Sequence, residues 1–213
     1  MERADAVLVS TPDLLEHAPA ATWLPNPVDS EFFGGGGSSN PRGRGDPEVL
    51  IHARLSQVKG AETLIAAARE IRRRDDGIIV RAFAGGPFDD EAEAAGVRLQ
   101  RASTREEVRR ALSDADVVIG QQHLRMVGLS ELEAMAMCRP VIAPVDQERY
   151  PHQVPVVAAE SATEIADRVV ELVGDDEARA RLGAAGRDYV ETVHSPPVVV
   201  GRLVEIYDRV VAR

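Results

Sequence analysis

The chain has 213 residues, a formal net charge of -10 and a single cysteine, Cys138. The acidic balance repels polyanions and argues against nucleic acid as a partner. A lone cysteine excludes an intramolecular disulfide, and no apolar run reaches the ~18 residues that a membrane-spanning helix needs. Apolar residues make up 44% of the chain, enough for a sizeable core at this length. Met1 opens no signal-peptide pattern, so the cytoplasm is the expected compartment.

Residues 1–33 read as a small separate piece: a strand over 6–10, a short helix over 12–17, then Trp23-Leu24-Pro25-Asn26-Pro27-Val28-Asp29. The following glycine-rich stretch lacks a lysine and the regular glycine spacing of a nucleotide fingerprint, which makes residues 34–47 a flexible linker. From residue 48 the pattern changes. Short apolar runs at 49–53, 78–84, 97–99, 117–119, 141–143 and 154–157 alternate with helical stretches at 61–74, around Asp90, at 105–113 and at 129–137. Strands that are apolar throughout, separated by helices, predict an α/β fold: a Rossmann-like, doubly wound parallel sheet covered on both faces. In the first helix Leu64, Ala68 and Ile71 keep the spacing of one buried face, with Glu70, Arg72 and Arg73 turned outward. Beyond residue 157 the pattern is wholly helical, over 162–173, 177–182, 185–194 and 197–211.

Lys59 is the only lysine, against twenty-four arginines. It lies in Arg54-Leu55-Ser56-Gln57-Val58-Lys59-Gly60, between a predicted strand and a predicted helix. A compact ammonium at a strand-to-helix turn suits a phosphate group. In open parallel sheets ligands sit at the carboxyl ends of the strands, where Arg54, Lys59, Gly85 and Gly128 are expected to emerge. The five histidines show no metal-ligand spacing. His123 and Arg125, in the loop before the 129–137 helix, are candidates for the site, whereas His17, His52, His152 and His194 read as structural. Ser130 and Glu133 fit a capping box, which is the plain alternative to a ligand role for that glutamate. Cys138, at a helix end, reads as packed rather than reactive.

Several blocks, in order, carry a resemblance. They are Ala4-Asp5-Ala6-Val7-Leu8-Val9-Ser10, Leu24-Pro25-Asn26-Pro27-Val28-Asp29, the Arg54–Gly60 segment, Ala84-Gly85-Gly86-Pro87, and Gly128-Leu129-Ser130-Glu131-Leu132-Glu133-Ala134-Met135-Ala136 continuing through Arg139-Pro140-Val141-Ile142. Together they resemble the C-terminal, donor-binding domain of glycosyltransferase family 4, the glycosyl transferases group 1, which is one half of a GT-B fold. That resemblance implies a nucleotide-sugar-binding domain over 48–213, with residues 1–33 as the remnant of a preceding domain and its connection. It implies a hexosyl-type glycosyltransferase working with retention, independent of metal and without a cofactor, whose substrate is a nucleotide-diphosphate sugar.

By the same resemblance Arg54, Lys59 and the N–H groups of Gly128 and Leu129 would hold the diphosphate, Glu133 would accept the ribose hydroxyls, and Gly85, Gly86, His123 and Arg125 would line the donor pocket. The match departs from the family on the sugar side. Arg125 stands eight positions before Glu133, where the family has its first glutamate, Ala53 replaces a glycine, and Gln121, Gln122 and His123 replace small residues. The acceptor-binding half is not covered, so an acceptor-domain partner or a homodimer is expected. Three readings stay open: the donor half of such an enzyme, a non-catalytic nucleotide-sugar-binding subunit or sensor, and an unrelated doubly wound domain. The missing dinucleotide glycine fingerprint speaks against the last.

Overall fold

A computed structural model describes residues 4–34, 45–102 and 104–212. Most of the stretch read as a linker, residues 35–44, lies outside them. The N-terminal part forms two short parallel strands, β1 (Leu8–Val9) and β2 (Thr22–Trp23), with a 3-10 turn at Pro12–Glu16 between them. Then follow β3 (Glu48–Ile51), α1 (Ala61–Arg74), β4 (Ile79–Phe83), α2 (Asp89–Ala94), β5 (Arg98–Gln100), α3 (Arg105–Asp114), β6 (Val117–Ile119), α4 (Leu129–Ala136) and β7 (Val141–Ile142). The last three helices are α5 (Ala162–Gly174), α6 (Asp176–Tyr189) and α7 (Pro196–Val211).

Alternation along the central strands decides the layers, because successive side chains point to opposite faces of a sheet. Val49 and Ile51 of β3 and Val117 and Ile119 of β6 enter one core with α1, α2 and α5. Leu50 and Val118, the residues between them, enter a second core with α3, α4 and the end of α6. Both faces are therefore apolar and both are covered. The expected fold class is what forms: an α/β, doubly wound, five-stranded parallel sheet with C-terminal helices.

The strand order is β5-β4-β3-β6-β7, all parallel. The chain leaves β3 for β4 and β5 on one side, then returns to β6 on the other. This reversal makes a switch point between the carboxyl ends of β3 and β6, where the exit loops of two neighbouring strands diverge and leave a crevice.

Several helices start where their sequences place a cap. Thr104 and Glu107 form a reciprocal capping box on α3, and Ser161 and Glu164 another on α5. Three expectations are corrected. The run at 154–157 makes only an isolated bridge from Val157 to Ile142, since Pro155 lacks an N–H for a ladder. The stretches 177–182 and 185–194 form one helix, α6, continued by a π-turn at Val190–His194. Gly183 does not break it; a Cβ there would sit 2.1 Å from the Cys138 carbonyl oxygen, so the glycine serves close packing against the end of α4. The strand read at 6–10 shortens to the two residues of β1.

Residues 26–33 pack onto the main domain. Phe33 is buried in the second core, Val28 N–H donates to the His194 carbonyl, and the guanidinium of Arg105 lies 4.5 Å above the centre of the Phe32 ring. On α7, Val199 and Ile206 face inward while Val200, Val204 and Tyr207 are exposed. Among the described residues no helix is long and apolar enough to cross a membrane.

Candidate functional site

The β3 strand ends at Ile51, and the chain then carries His52, Arg54 and a 3-10 turn at Gln57–Lys59 over the switch point. Gly60 closes this turn with φ 79° in the left-handed region, which favours glycine. A Cβ on Gly60 would lie 2.7 Å from the Cβ of Gln122 and 3.1 Å from the His123 ring. The turn is thus pressed against the segment that leaves β6. Two hydrogen bonds fasten the pair: Gln122 N–H to the Lys59 carbonyl at 3.0 Å, and Lys59 Nζ to Gln121 Oε1 at 2.7 Å. The second crosses the switch point, so the sole lysine is held at the crevice between β3 and β6. The Arg54 side chain is exposed and forms no hydrogen bond or ion pair among the described residues.

Gln121 organises the next loop. Its Nε2 donates to the Met126 carbonyl at 2.8 Å and its N–H donates to Glu131 Oε1 at 2.8 Å. The other oxygen of Glu131 accepts the Gly128 N–H at 2.9 Å. Glu131, only 2% exposed, therefore caps α4. This corrects the capping box read at Ser130 and Glu133: Gly128 is the N-cap and Glu131 stands three residues on. The Gly128 N–H is consequently already engaged, and Leu129, at the first helical position, is half exposed. Tyr150 supports the loop from beneath by accepting the Val127 N–H at 2.9 Å. Burial pushes its phenol up to about 12.

Glu133 is free of the cap and turns toward β3. Its Oε2 lies 3.0 Å from His52 Nε2. The His52 ring is buried and meets Phe83 edge-on at 5.4 Å between centroids. Nearby, Gly85 and Gly86 leave β4. A Cβ on Gly86 would fall 2.4 Å from the Leu55 carbonyl oxygen, which explains that glycine by packing. Gly85, at φ 110°, has open space where a Cβ would be. Both their N–H groups donate to the Asp89 carboxylate, at 2.6 and 3.0 Å.

Arg54, Lys59, Gly85, Gly86, His123 and Glu133 thus gather at the carboxyl ends of β3, β4 and β6. Arg125 is drawn to a different set. Its Nε lies 2.6 Å from Asp146 Oδ1 and its Nη1 lies 2.8 Å from Glu160 Oε1. Its backbone takes φ 53°, and its carbonyl accepts the Asp146 N–H. The hydrogen bonds to Asp146 and Glu160 raise the guanidinium above its ordinary value, and the bond from Arg125, with one from Arg149, lowers the Asp146 carboxyl. Among the described residues no group of three or more His, Cys, Asp or Glu side chains is placed to hold a metal ion.

Sequence reasoning passed over His52, Gln121 and Glu131. A buried histidine ending an otherwise apolar strand was the available signal for His52. Nothing local marked Gln121 as the partner of a lysine sixty-two residues earlier.

The sequence model of the family described as "Glycosyl transferases group 1" matches residues 46–175, well over half of the chain. The chain belongs to the glycosyl transferases group 1 family. This group 1 domain is 30% identical to the GDP-mannose-dependent α-(1-6)-phosphatidylinositol monomannoside mannosyltransferase of Mycobacterium tuberculosis, over 81% of this chain and 52% of that protein. It therefore spans about half the length of the curated relatives it matches.

Among solved structures, the C-terminal domain of the group 1 protein LpcC from Francisella tularensis superposes with a TM-score of 0.63 at 23% identity. That match covers 79% of this chain and 99% of the other. HepE from Anabaena, solved in complex with UDP, gives 0.76 at 15% identity, over 97% of this chain and 64% of that one. The group 1 domain thus has the fold of one half of a GT-B enzyme.

Proposed function

We propose that this chain is the donor-binding half of a retaining, metal-independent glycosyltransferase whose substrate is a nucleotide-diphosphate sugar, and that an acceptor half or partner completes the site. The observation that carries the reading is the Lys59–Gln121 hydrogen bond across the switch point, with the exposed Arg54 guanidinium, unpaired among the described residues, on the same exit loop. A leaving diphosphate gains negative charge as the glycosidic bond breaks. Arg54 supplies a planar fork for two oxygens and Lys59, held by Gln121 before reaction, a point charge, which favours the charge that develops in the transition state. The start of α4 adds the positive end of its dipole through Leu129, since the Gly128 N–H is taken by Glu131. Glu133 accepts the ribose hydroxyls, and Gly85, Gly86 and His123 border the pocket.

Titration with uridine, guanosine and adenosine diphosphates, and then with GDP-mannose and UDP-sugars, tests this in the parent chain and in Lys59→Ala. The choice of GDP-mannose follows the mannosyltransferase relative, and that of UDP-sugars follows the UDP complex of HepE. Micromolar binding that weakens in the variant is expected. Absence of binding, or equal binding by the variant, overturns the reading.

A second reading, a non-catalytic nucleotide-sugar-binding subunit or sensor, is favoured by Arg125. Its charge is opposite to that of the glutamate which the resemblance expects there, and it is occupied by Asp146 and Glu160. Transfer or donor hydrolysis by the purified chain would eliminate this alternative.

A further inference from the structure

Two elements that the sequence places far apart meet at the site. His52 ends β3 and Glu133 lies on α4, eighty-one positions away, yet Nε2 and Oε2 are 3.0 Å apart. Leu50, two residues before His52, faces the core that α4 covers. The pleat therefore sends the His52 side chain to that same face. The His52 side chain is 8% exposed and packed against Phe83, which leaves its ring little freedom to turn. The Glu133 side chain is 24% exposed and has no other hydrogen-bond partner among the described residues. With the carboxylate ionised, Nε2 must carry the proton and donate to Oε2. One oxygen is then fixed, and Oε1 is left as an acceptor without a partner among the described residues.

We infer that His52 is a positioning residue for the nucleotide ribose: by anchoring one oxygen of Glu133 it sets the carboxylate rotamer that receives the sugar hydroxyls. This rests on the donor-binding reading above. An unanchored glutamate would have to lose side-chain rotamer freedom on binding, and the anchor removes most of that loss beforehand. The hydroxyl contacts should then depend on His52, although His52 touches no part of the nucleotide.

Calorimetric titration of the full chain tests this, using whichever of the uridine, guanosine and adenosine diphosphates binds tightest, against its 2′,3′-dideoxy form. In the parent, removing the hydroxyls should weaken binding roughly tenfold, the size expected for a hydrogen bond to a charged group. In His52→Phe, which keeps an aromatic ring against Phe83 but donates nothing, the normal diphosphate should bind as weakly as the dideoxy form, whose affinity stays at the parent's value. His52→Gln, whose amide can still donate to Glu133, should retain most of the hydroxyl dependence. Glu133→Gln combined with His52→Phe should lose no more than either alone.

Equal weakening of both ligands in His52→Phe would mark a structural role and overturn the inference, as would an unchanged hydroxyl dependence. Should His52→Phe fail to fold, a full hydroxyl dependence in His52→Ala would overturn it and a lost one would uphold it. A parent chain that binds none of the diphosphates overturns the donor-binding reading and this inference together, whereas a binding parent with an indifferent His52 overturns this one alone.

Discussion

The guanidinium of Arg125 lies on the carboxylate of Asp146, Nε to Oδ1 at 2.6 Å, and extends its other arm to Glu160 at 2.8 Å. It thereby ties the loop before α4 to the segments that follow β7. Arg149 joins from the other side, contacting both Asp146 and Glu16 of the N-terminal part.

Substitution at Arg125 separates charge from backbone. The ion pairs are partly exposed, so their net worth is of order 1 kcal/mol or less and should shrink in high salt. The φ of 53° penalises any side chain there except glycine. Arg125→Gly should therefore be more stable than Arg125→Ala by about 1 kcal/mol. Arg125→Glu, set against Asp146 and Glu160, should be the least stable of the three. Urea unfolding of the three variants at low and high salt checks the order.

His194 gives a pH dependence with a definite sign. Its Nδ1 donates to the Asn26 carbonyl at 2.9 Å, its Nε2 is buried without a partner among the described residues, and burial lowers the imidazole from 6.5 to about 4. In the unfolded chain the ring takes a proton near pH 6.5, whereas in the folded chain it resists until about pH 4. Its contribution is therefore fully present above pH 6.5 and is lost as the pH falls through that window, by roughly 3 kcal/mol in all. His194→Phe should be less stable at neutral pH but should flatten this part of the curve. Denaturant midpoints at pH 7, 5.5 and 4.5 decide it.

The contact of α6 with the end of α4 is tight enough to read by single atoms. Gly183→Ala would put a methyl 2.1 Å from the Cys138 carbonyl oxygen and should destabilise the chain by about 2 kcal/mol or more. Cys138 itself sits just past α4 with φ 56°, a position that glycine usually takes. Cys138→Gly should be neutral or stabilising by up to about 1 kcal/mol. Thermal melts should show a lowered midpoint for Gly183→Ala and an unchanged or raised one for Cys138→Gly.

Lys59→Ala should weaken nucleoside diphosphate binding roughly 10- to 100-fold, the range for a hydrogen bond to a charged group, and should affect nucleosides little. Lys59→Arg should not restore it, because a planar fork cannot occupy the narrow place between the 57–60 turn and Gln121. Calorimetry on the diphosphate and the parent nucleoside separates the two effects.

Periodicity and strand alternation made most of the architecture readable. Leu64, Ala68 and Ile71 marked the buried face of α1, and the apolar runs marked each central strand. What escaped was set by partners distant in sequence or by residues that leave no side-chain trace. The spacing Ser130 to Glu133 satisfied the rule for a capping box, whereas only the glutamate half of one forms, from Glu131 to the Gly128 N–H, and a glycine cap gives no side chain to signal it. With Glu131 on the cap, Glu133 was released to His52, a pairing that only the folded sheet brings about. Arg125 likewise found Asp146 and Glu160 on loops whose course local propensity does not determine. Pro155 was visible in the run at 154–157, where its missing N–H should have outweighed the valines around it.

A chain with one lysine carries one side-chain primary amine, and here the fold has fastened it to Gln121 at the switch point between β3 and β6. Among the side-chain amines of this sequence, acylating or reductive-alkylating reagents will mark that point alone. A fluorophore or isotopic label can thus be seated at the mouth of the groove without engineering, and occupancy there can be followed through the reactivity of a single nitrogen.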